Sequence, residues 1–236
     1  MEKTNKKILV SFSGGLDSTY LVYDNLRKGN TVTGLYTTIK NNINKIRVET
    51  HQTKKLGKLF KEDFPGQFTL DMGIGFDIPS SNDLIFKQTL IWLVSLLYHH
   101  SSSYDEVQIG AVMNDDMISF IDDIKNIWES FSFLNPKHPI LTFPLMKNGK
   151  AQLSDSLPKK YKDLVVFCEN PTIIKDYGLP EEDNFEFTNC GECHSCKRYE
   201  FDKDIWNIEY GQIKNSNDPP SDDTPASNGI LIGKPI

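Results

Sequence analysis

Two short runs in this chain combine residue types and spacings that could do chemistry. The first is Ser13-Gly14-Gly15-Leu16-Asp17-Ser18, followed by Thr19. Paired glycines let backbone N–H groups approach an anion, a following helix N-terminus adds positive potential, and Ser13, Ser18 and Thr19 add hydroxyl donors. Asp17 is the odd member, because a carboxylate facing a polyphosphate calls for a divalent cation between them, and Mg²⁺ fits that place. The competing reading is a Ser/Gly turn in which Asp17 and Ser18 only cap a helix. The second run is Cys190-x2-Cys193-x2-Cys196, with Cys168 as the fourth and last cysteine. Four thiolates suit a closed tetrahedral Zn²⁺ site, whose fourth ligand commonly comes from a distant loop. The same spacing also matches three ligands of an iron–sulfur cluster. His194, inside the run, reads as a surface residue.

The elements that must position these runs follow from hydrophobic pattern. Lys6 to Phe12 reads as a buried strand ending at the glycines, and Leu16 to Arg27 as the helix after it. Strand patterns recur at Thr31–Thr37, Gln67–Asp71, Glu106–Val112 and Ile140–Leu145. Helical patterns lie between them: a Lys-rich exposed helix at Arg47–Phe64, a long buried one at Leu84–His100, and a third at Met117–Phe131. Alternation of this kind predicts an α/β fold with a doubly wound, mostly parallel sheet. Its ligand should sit beyond the carboxyl ends of the strands, on a rim shared by the loops after Phe12, Thr37, Asp71 and Val112. Asp115 and Asp116 follow the fourth strand there, where they could hold a cation or an amino group, or simply favour a helix N-terminus.

Three regions are expected: 1–150 as the nucleotide domain, 151–210 as a C-terminal segment carrying the cysteines, and 211–236 as a flexible tail rich in Ser, Asn, Asp and Pro. Glu169 to Asn189 reads as an acidic loop, so the cysteine segment is expected to lack a sheet. Twenty-six Lys+Arg against 32 Asp+Glu give a net charge of −6. That sign disfavours a nucleic-acid partner. The densest apolar run, Leu84 to Tyr98, falls short of a membrane span, so a cytoplasmic protein without membrane contact is expected.

The glycine run resembles the PP-loop of the ATP pyrophosphatases, which split ATP into AMP and pyrophosphate to adenylate an oxygen of their substrate. Taken together, the two runs resemble the 7-cyano-7-deazaguanine synthase family of the queuosine pathway across roughly residues 6 to 200. That family carries S-G-G-x-D-S near its start and C-G-x-C-x-x-C-x-x-R near its end. The counterparts here are Ser13 to Ser18 and Cys190 to Arg198, with Cys168-Glu169-Asn170 as the upstream cysteine. Thr142 to Met146 is similar to the family's T/F-P-L stretch, and Lys150 to the lysine beyond it.

The resemblance implies an adenine nucleotide alpha hydrolase-like fold with a C-terminal zinc-binding segment, and ATP, Mg²⁺ and Zn²⁺ as cofactors. It implies nucleotide binding by Phe12, Ser13, Gly14, Gly15, Leu16, Asp17, Ser18 and Thr19, and catalysis by Asp17, Ser18 and Lys150. The zinc would sit on Cys168, Cys190, Cys193 and Cys196. The implied reaction activates a 7-carboxy-7-deazaguanine-like carboxylate through an adenylate, and ammonia or an amine then gives an amide or nitrile. A homodimer is implied as well. The family's P-G-R-N is replaced by Ser80-Ser81-Asn82-Asp83, its Y-P-D-C-R by Asn114 to Ile118, and its Q-x-H is absent from Thr37 to Asn44. This pattern is that of a divergent member, of the phage or anti-phage-operon kind, whose acceptor could be a protein amine. tRNA thiolation by a PP-loop enzyme, and a catalytically silent ATP-binding scaffold, are the remaining alternatives.

Overall fold

The run Lys7–Ser11 forms the first strand, β1, and its alternate residues point to opposite faces. Ile8 and Val10 enter one hydrophobic core while Leu9 enters another. A strand buried on both sides belongs at the centre of a parallel sheet. The computed structural model, which describes residues 5–77, 84–99, 103–113, 115–134, 137–177 and 185–200, places it there.

After β1 come α1 (Leu16–Arg27), β2 (Thr31–Lys40), α2 (Ile43–Asp63) and β3 (Phe68–Asp77). The chain then crosses through α3 (Leu84–His99) to β4 (Glu106–Gln108), and through α4 (Ile121–Ser130) to β5 (Ile140–Thr142). All neighbouring pairs are parallel, and the order is β3-β2-β1-β4-β5. Helices α1 and α2 cover one face, where Leu21, Leu26, Leu56 and Phe60 meet Ile8, Val10 and Val32. Helices α3 and α4 cover the other, where Leu93, Leu96, Ile124 and Trp128 meet Leu9, Leu35 and Val107. This is the doubly wound, parallel α/β arrangement expected. Between β1 and β4 the connections change direction, which opens a crevice at the strands' carboxyl ends.

Beyond β5, α5 (Lys150–Ser156) and α6 (Lys159–Lys162) lead to an antiparallel hairpin of β6 (Thr172–Asp176) and β7 (Phe185–Thr188), and residues 194–200 form a last helix, α7. Leu153, Leu157 and Tyr161 share the core of β1 and α1, so the chain just past residue 150 packs into the main body.

Several expected bounds move. β2 and β3 run further than expected, because Leu35 to Thr37 stay buried and the β2–β3 pairing resumes beyond an irregularity at Tyr36/Thr38. β4 stops at Gln108, since the Ala111 N–H turns back onto Ile109 O rather than joining the ladder. The helix expected from Met117 starts as a 3-10 turn, Asp116–Phe120. α3, expected to be buried, buries one side only, and Leu90 (56%) and Tyr98 (73%) are exposed. The acidic stretch read as a loop holds the β6–β7 hairpin, so the cysteine segment is not sheetless. Its strands are mostly exposed, β6 shows no apolar alternation and β7 shows it over four residues only, and a small core of Phe185, Val166 and Val48 holds them. Ser80 to Asp83, Asn114 and the tail 211–236 lie outside the described residues. No helix among those described is long and apolar enough to cross a membrane.

Candidate active site and cysteine centre

The glycine run is the β1–α1 connection. Phe12 closes the strand: its N–H bonds Leu35 O at 2.8 Å, and its ring packs edge-on against Phe60 and Phe68. Gly14 has φ +74°, and a Cβ there would sit 2.7 Å from Thr53 Oγ1, so only glycine fits. Thr53 in turn donates to Ser13 O at 3.2 Å. The two serines brace the loop from within. Ser13 N–H donates to Ser18 Oγ, Ser18 Oγ donates to Gly15 O, and Gly15 N–H donates to Ser13 Oγ, all at 3.2–3.3 Å. Gly15 is the N-cap of α1 and supplies no side-chain bond, which leaves the first-turn N–H groups facing the crevice. Gly110, after β4, lets that strand approach: a Cβ there would lie 3.2 Å from the Asp17 carbonyl carbon.

A cavity of about 530 Å³ opens above this loop, within the usual size for a small-molecule site. Of the residues expected to bind nucleotide, Ser13, Gly15, Leu16, Asp17 and Ser18 line it, together with Lys150. The side chain of Phe12 belongs to the core, Gly14 lies against Thr53, and Thr19 is fully buried in α1. Asp17 does not cap α1. Its Oδ2 lies 3.5 Å from Lys150 Nζ, while its Oδ1 is buried with no hydrogen-bond partner. Burial raises the Asp17 pKa above the ordinary carboxylate value; Lys150 opposes the rise, Asp115 adds to it, and Arg198 pulls against it. An orphaned carboxylate oxygen beside a phosphate cradle fits a Mg²⁺ ligand, because that ion is usually held by one or two carboxylates plus substrate oxygens. Asp115 and Asp116 line the same cavity and meet the Arg198 guanidinium at 3.5 and 3.7 Å.

The opposite wall went unread in the sequence. Lys45 is almost wholly buried and pairs with Glu169, and Glu49 stands 3.8 Å from the same ammonium. Tyr36 OH lies 3.4 Å from Glu49 Oε2. The available signal was the i,i+4 spacing of Lys45 and Glu49 beside the buried Val48 and Gln52, which marks them as part of the inward face of α2. Burial, opposed by Lys45 and reinforced by Glu169, pushes the Glu49 carboxyl up to about 7 from 4.5. The folded protein therefore keeps this proton to higher pH than the unfolded chain. Ionisation opposes folding, and Glu49's contribution to stability falls as pH rises between 4.5 and about 7. Glu49→Gln should accordingly gain thermal stability relative to the parent between about pH 5 and about pH 8. Melting both proteins across that range checks it, and a difference independent of pH would contradict the shift.

The four cysteines converge behind this wall, with all four sulfurs within 4.8 Å of one another. Cys168 Sγ lies 3.4 Å from Cys190 Sγ. Backbone N–H groups aim at the sulfurs, from Cys190 onto Cys168, from Cys193 onto Cys190, and from Glu169 onto Cys193, at 3.2–3.4 Å. Such bonds favour thiolates, and those from Glu192 and Cys193 bring Cys190 down to about 6, whereas burial raises Cys168. Gly191, at φ +74°, makes the tight turn between the first two cysteines of the run. With metal–sulfur bonds of about 2.3 Å, tetrahedral ligands lie about 3.8 Å apart, so this donor set fits a single ion. His194 is exposed at the cavity edge and does not join the sulfurs.

No family model matches the chain, and no curated protein does. Solved structures that resemble it include the U34-tRNA thiolase NcsA from Methanococcus maripaludis with its [4Fe-4S] cluster, 12% identical over 88% of this chain and 67% of that one, with a TM-score of 0.42. A predicted subunit of tRNA methyltransferase from Methanocaldococcus jannaschii is 14% identical, covering 87% and 88% of the two chains at a TM-score of 0.36. NMN synthetase from Francisella tularensis is 15% identical, covering 87% and 86% at 0.38. Likeness at this level leaves the chemistry to be argued from the site.

Proposed function

We propose that this chain is an AMP-forming PP-loop enzyme that activates a carboxylate with ATP and passes it to ammonia or an amine, in the manner of a 7-cyano-7-deazaguanine synthase. The observation that carries the reading is the meeting, in one crevice, of the glycine loop, the open N-terminus of α1, Lys150, and the partnerless Oδ1 of Asp17.

The first-turn N–H groups of α1 bind phosphate oxygens, and the Ser13–Ser18 bonds hold the loop in shape for them. Lys150 moves from Asp17 to the phosphates, neutralising charge as it builds on the departing pyrophosphate. Bound at Asp17 and the phosphates, Mg²⁺ supplies further charge neutralisation. A substrate carboxylate oxygen attacks the α-phosphorus, the bond to the β-phosphate oxygen breaks, and pyrophosphate leaves. The amine nitrogen then attacks the activated carbonyl carbon, the C–O bond to AMP breaks, and the nitrogen loses a proton. A second round on the amide oxygen, with loss of both amide protons, gives the nitrile. The protein contributes mainly position and field.

Zn²⁺ is proposed for the cysteine centre. An iron–sulfur cubane gives each cysteine its own iron and would spread the sulfurs further apart than 4.8 Å. All four cysteines of the chain are in the cluster, so none is left over for a sulfur relay of the tRNA-thiolation kind.

Pyrophosphate release in ATP, Mg²⁺, ammonia and 7-carboxy-7-deazaguanine, with the product mass, tests the function. Release together with an amide or nitrile mass is expected. Release only with another acid would replace the substrate and keep the mechanism. Binding of ATP with no release from any acid would favour the silent scaffold.

A further inference from the structure

Arg198 lies two residues past the last cysteine, on α7, yet its guanidinium faces the nucleotide crevice. Its Nη1 is 3.5 Å from Asp115 Oδ1 and its Nη2 is 3.7 Å from Asp116 Oδ2. The group is largely enclosed, with 15% of the side chain exposed. Both contacts are longer than the 2.7–2.9 Å of a tight charge-assisted bond.

α7 itself is tied at several points. Cys193 and Cys196 fix its start in the sulfur cluster. Tyr199 stacks on Phe167, with centroids 4.6 Å apart and planes 19° apart, and its hydroxyl lies 3.4 Å from Ser154 Oγ on α5. Lys150 begins that same helix. Tyr199 therefore packs against the main body while its neighbour Arg198 lines the cavity, so Lys150 and Arg198, two of the cations that line the crevice with Lys45, come from helices that touch.

We infer that Arg198 is a phosphate-binding residue of the nucleotide site, exchanging Asp115 and Asp116 for phosphate oxygens when the nucleotide enters, and that the four-cysteine centre serves to hold α7 where that exchange can occur. The inference rests on the ATP reading proposed above. Arginine suits the task because its planar fork donates two N–H bonds at once to phosphate oxygens. Its field already reaches the glycine loop, since it acts on Asp17. The cluster, which does not itself line the cavity, thereby gains a physical route to it.

Binding of a non-hydrolysable ATP analogue with Mg²⁺, measured by calorimetry beside metal content and melting temperature, tests the assignment. Arg198→Gln should weaken the analogue by about 10- to 100-fold with metal content and melting unchanged, and Arg198→Lys should weaken it less. Asp116→Asn, which removes one of the two carboxylates that compete with phosphate for the guanidinium, should tighten binding a few-fold. Stripping the metal from the parent should reproduce the Arg198→Gln loss, and stripping the variant should add little. A control change at the exposed Lys54 should do nothing. Parent-like binding by Arg198→Gln, weaker binding by Asp116→Asn, or full affinity in the stripped parent would each overturn the inference while leaving the ATP reading in place. A parent that binds no nucleotide at all would defeat both.

Discussion

Asp17→Asn should lower pyrophosphate release by about a thousandfold while the unfolding midpoint moves little. Two features of the site set these outcomes against each other. The amide keeps the shape of the carboxylate, and it removes a buried oxygen, Oδ1, that has no hydrogen-bond partner. Burial already opposes ionisation of this group, so losing the charge relieves a cost. The same change leaves Lys150 without its 3.5 Å partner, which works the other way. The two should nearly cancel in stability. They do not cancel in catalysis, because a neutral amide is a poor ligand for a hard dication, and the charge on the departing pyrophosphate would be met by Lys150, Arg198 and the α1 N–H groups without the metal. Steady-state release with thermal melting of the same samples reads both. A loss of only a few-fold would mean that Asp17 does not face the phosphates. A large drop in midpoint would mean that its main role is to hold Lys150 in place.

What the sequence disclosed about this site follows the range of the signals involved. The glycine loop is local: strand, glycines and helix are contiguous, so its place at the end of β1 could be read directly, and the α/β class followed from alternation. The three-cysteine run is local too, and Cys168 joins it because no other cysteine exists in the chain. Strand lengths were not legible, since β2 is prolonged by its pairing with β3 and β4 is cut short where Ala111 turns back on Ile109. The Lys45–Glu169 pair spans 124 residues, and nothing along the chain announces such a meeting. Arg198 illustrates the middle case. Its spacing from the cysteines was visible, but its reach to Asp115 depends on where α7 docks, which the sulfur cluster and the stacking of Tyr199 on Phe167 set together. Phe12 and Thr19 adjoin the glycine loop in sequence, but the alternation of β1 and the inward face of α1 send both side chains into the interior.

Cys193→Ala should cost the protein its metal and make the segment around 166–200 the first part to unfold. The sheet has two cores of its own, each filled by long apolar side chains from strands and helices. The β6–β7 hairpin has a small core of Val48, Val166 and Phe185, with Ile173 and Phe187 packed half-buried against it, and most of its strand positions are exposed. So small a core, even with the stacking of Tyr199 on Phe167, offsets only part of the conformational entropy of ordering the segment, which runs to about 1–2 kcal/mol per residue. On the zinc reading proposed above, the ion supplies much of the balance. Small zinc modules draw apparent values of about 10–16 kcal/mol from theirs, enough to decide whether a segment of this length is folded. Removing one ligand also leaves three sulfurs crowded within 4.8 Å, with the Cys190 thiol already poised to ionise near pH 6, so like charges replace an ion's attraction. The expected results are about one metal ion per chain in the parent and far less in the variant, and limited proteolysis that first clips the variant between 166 and 200 while the body survives. Soluble yield should fall as well. A variant that keeps its metal and resists protease as the parent does would show that the hairpin and α7 are held by packing alone.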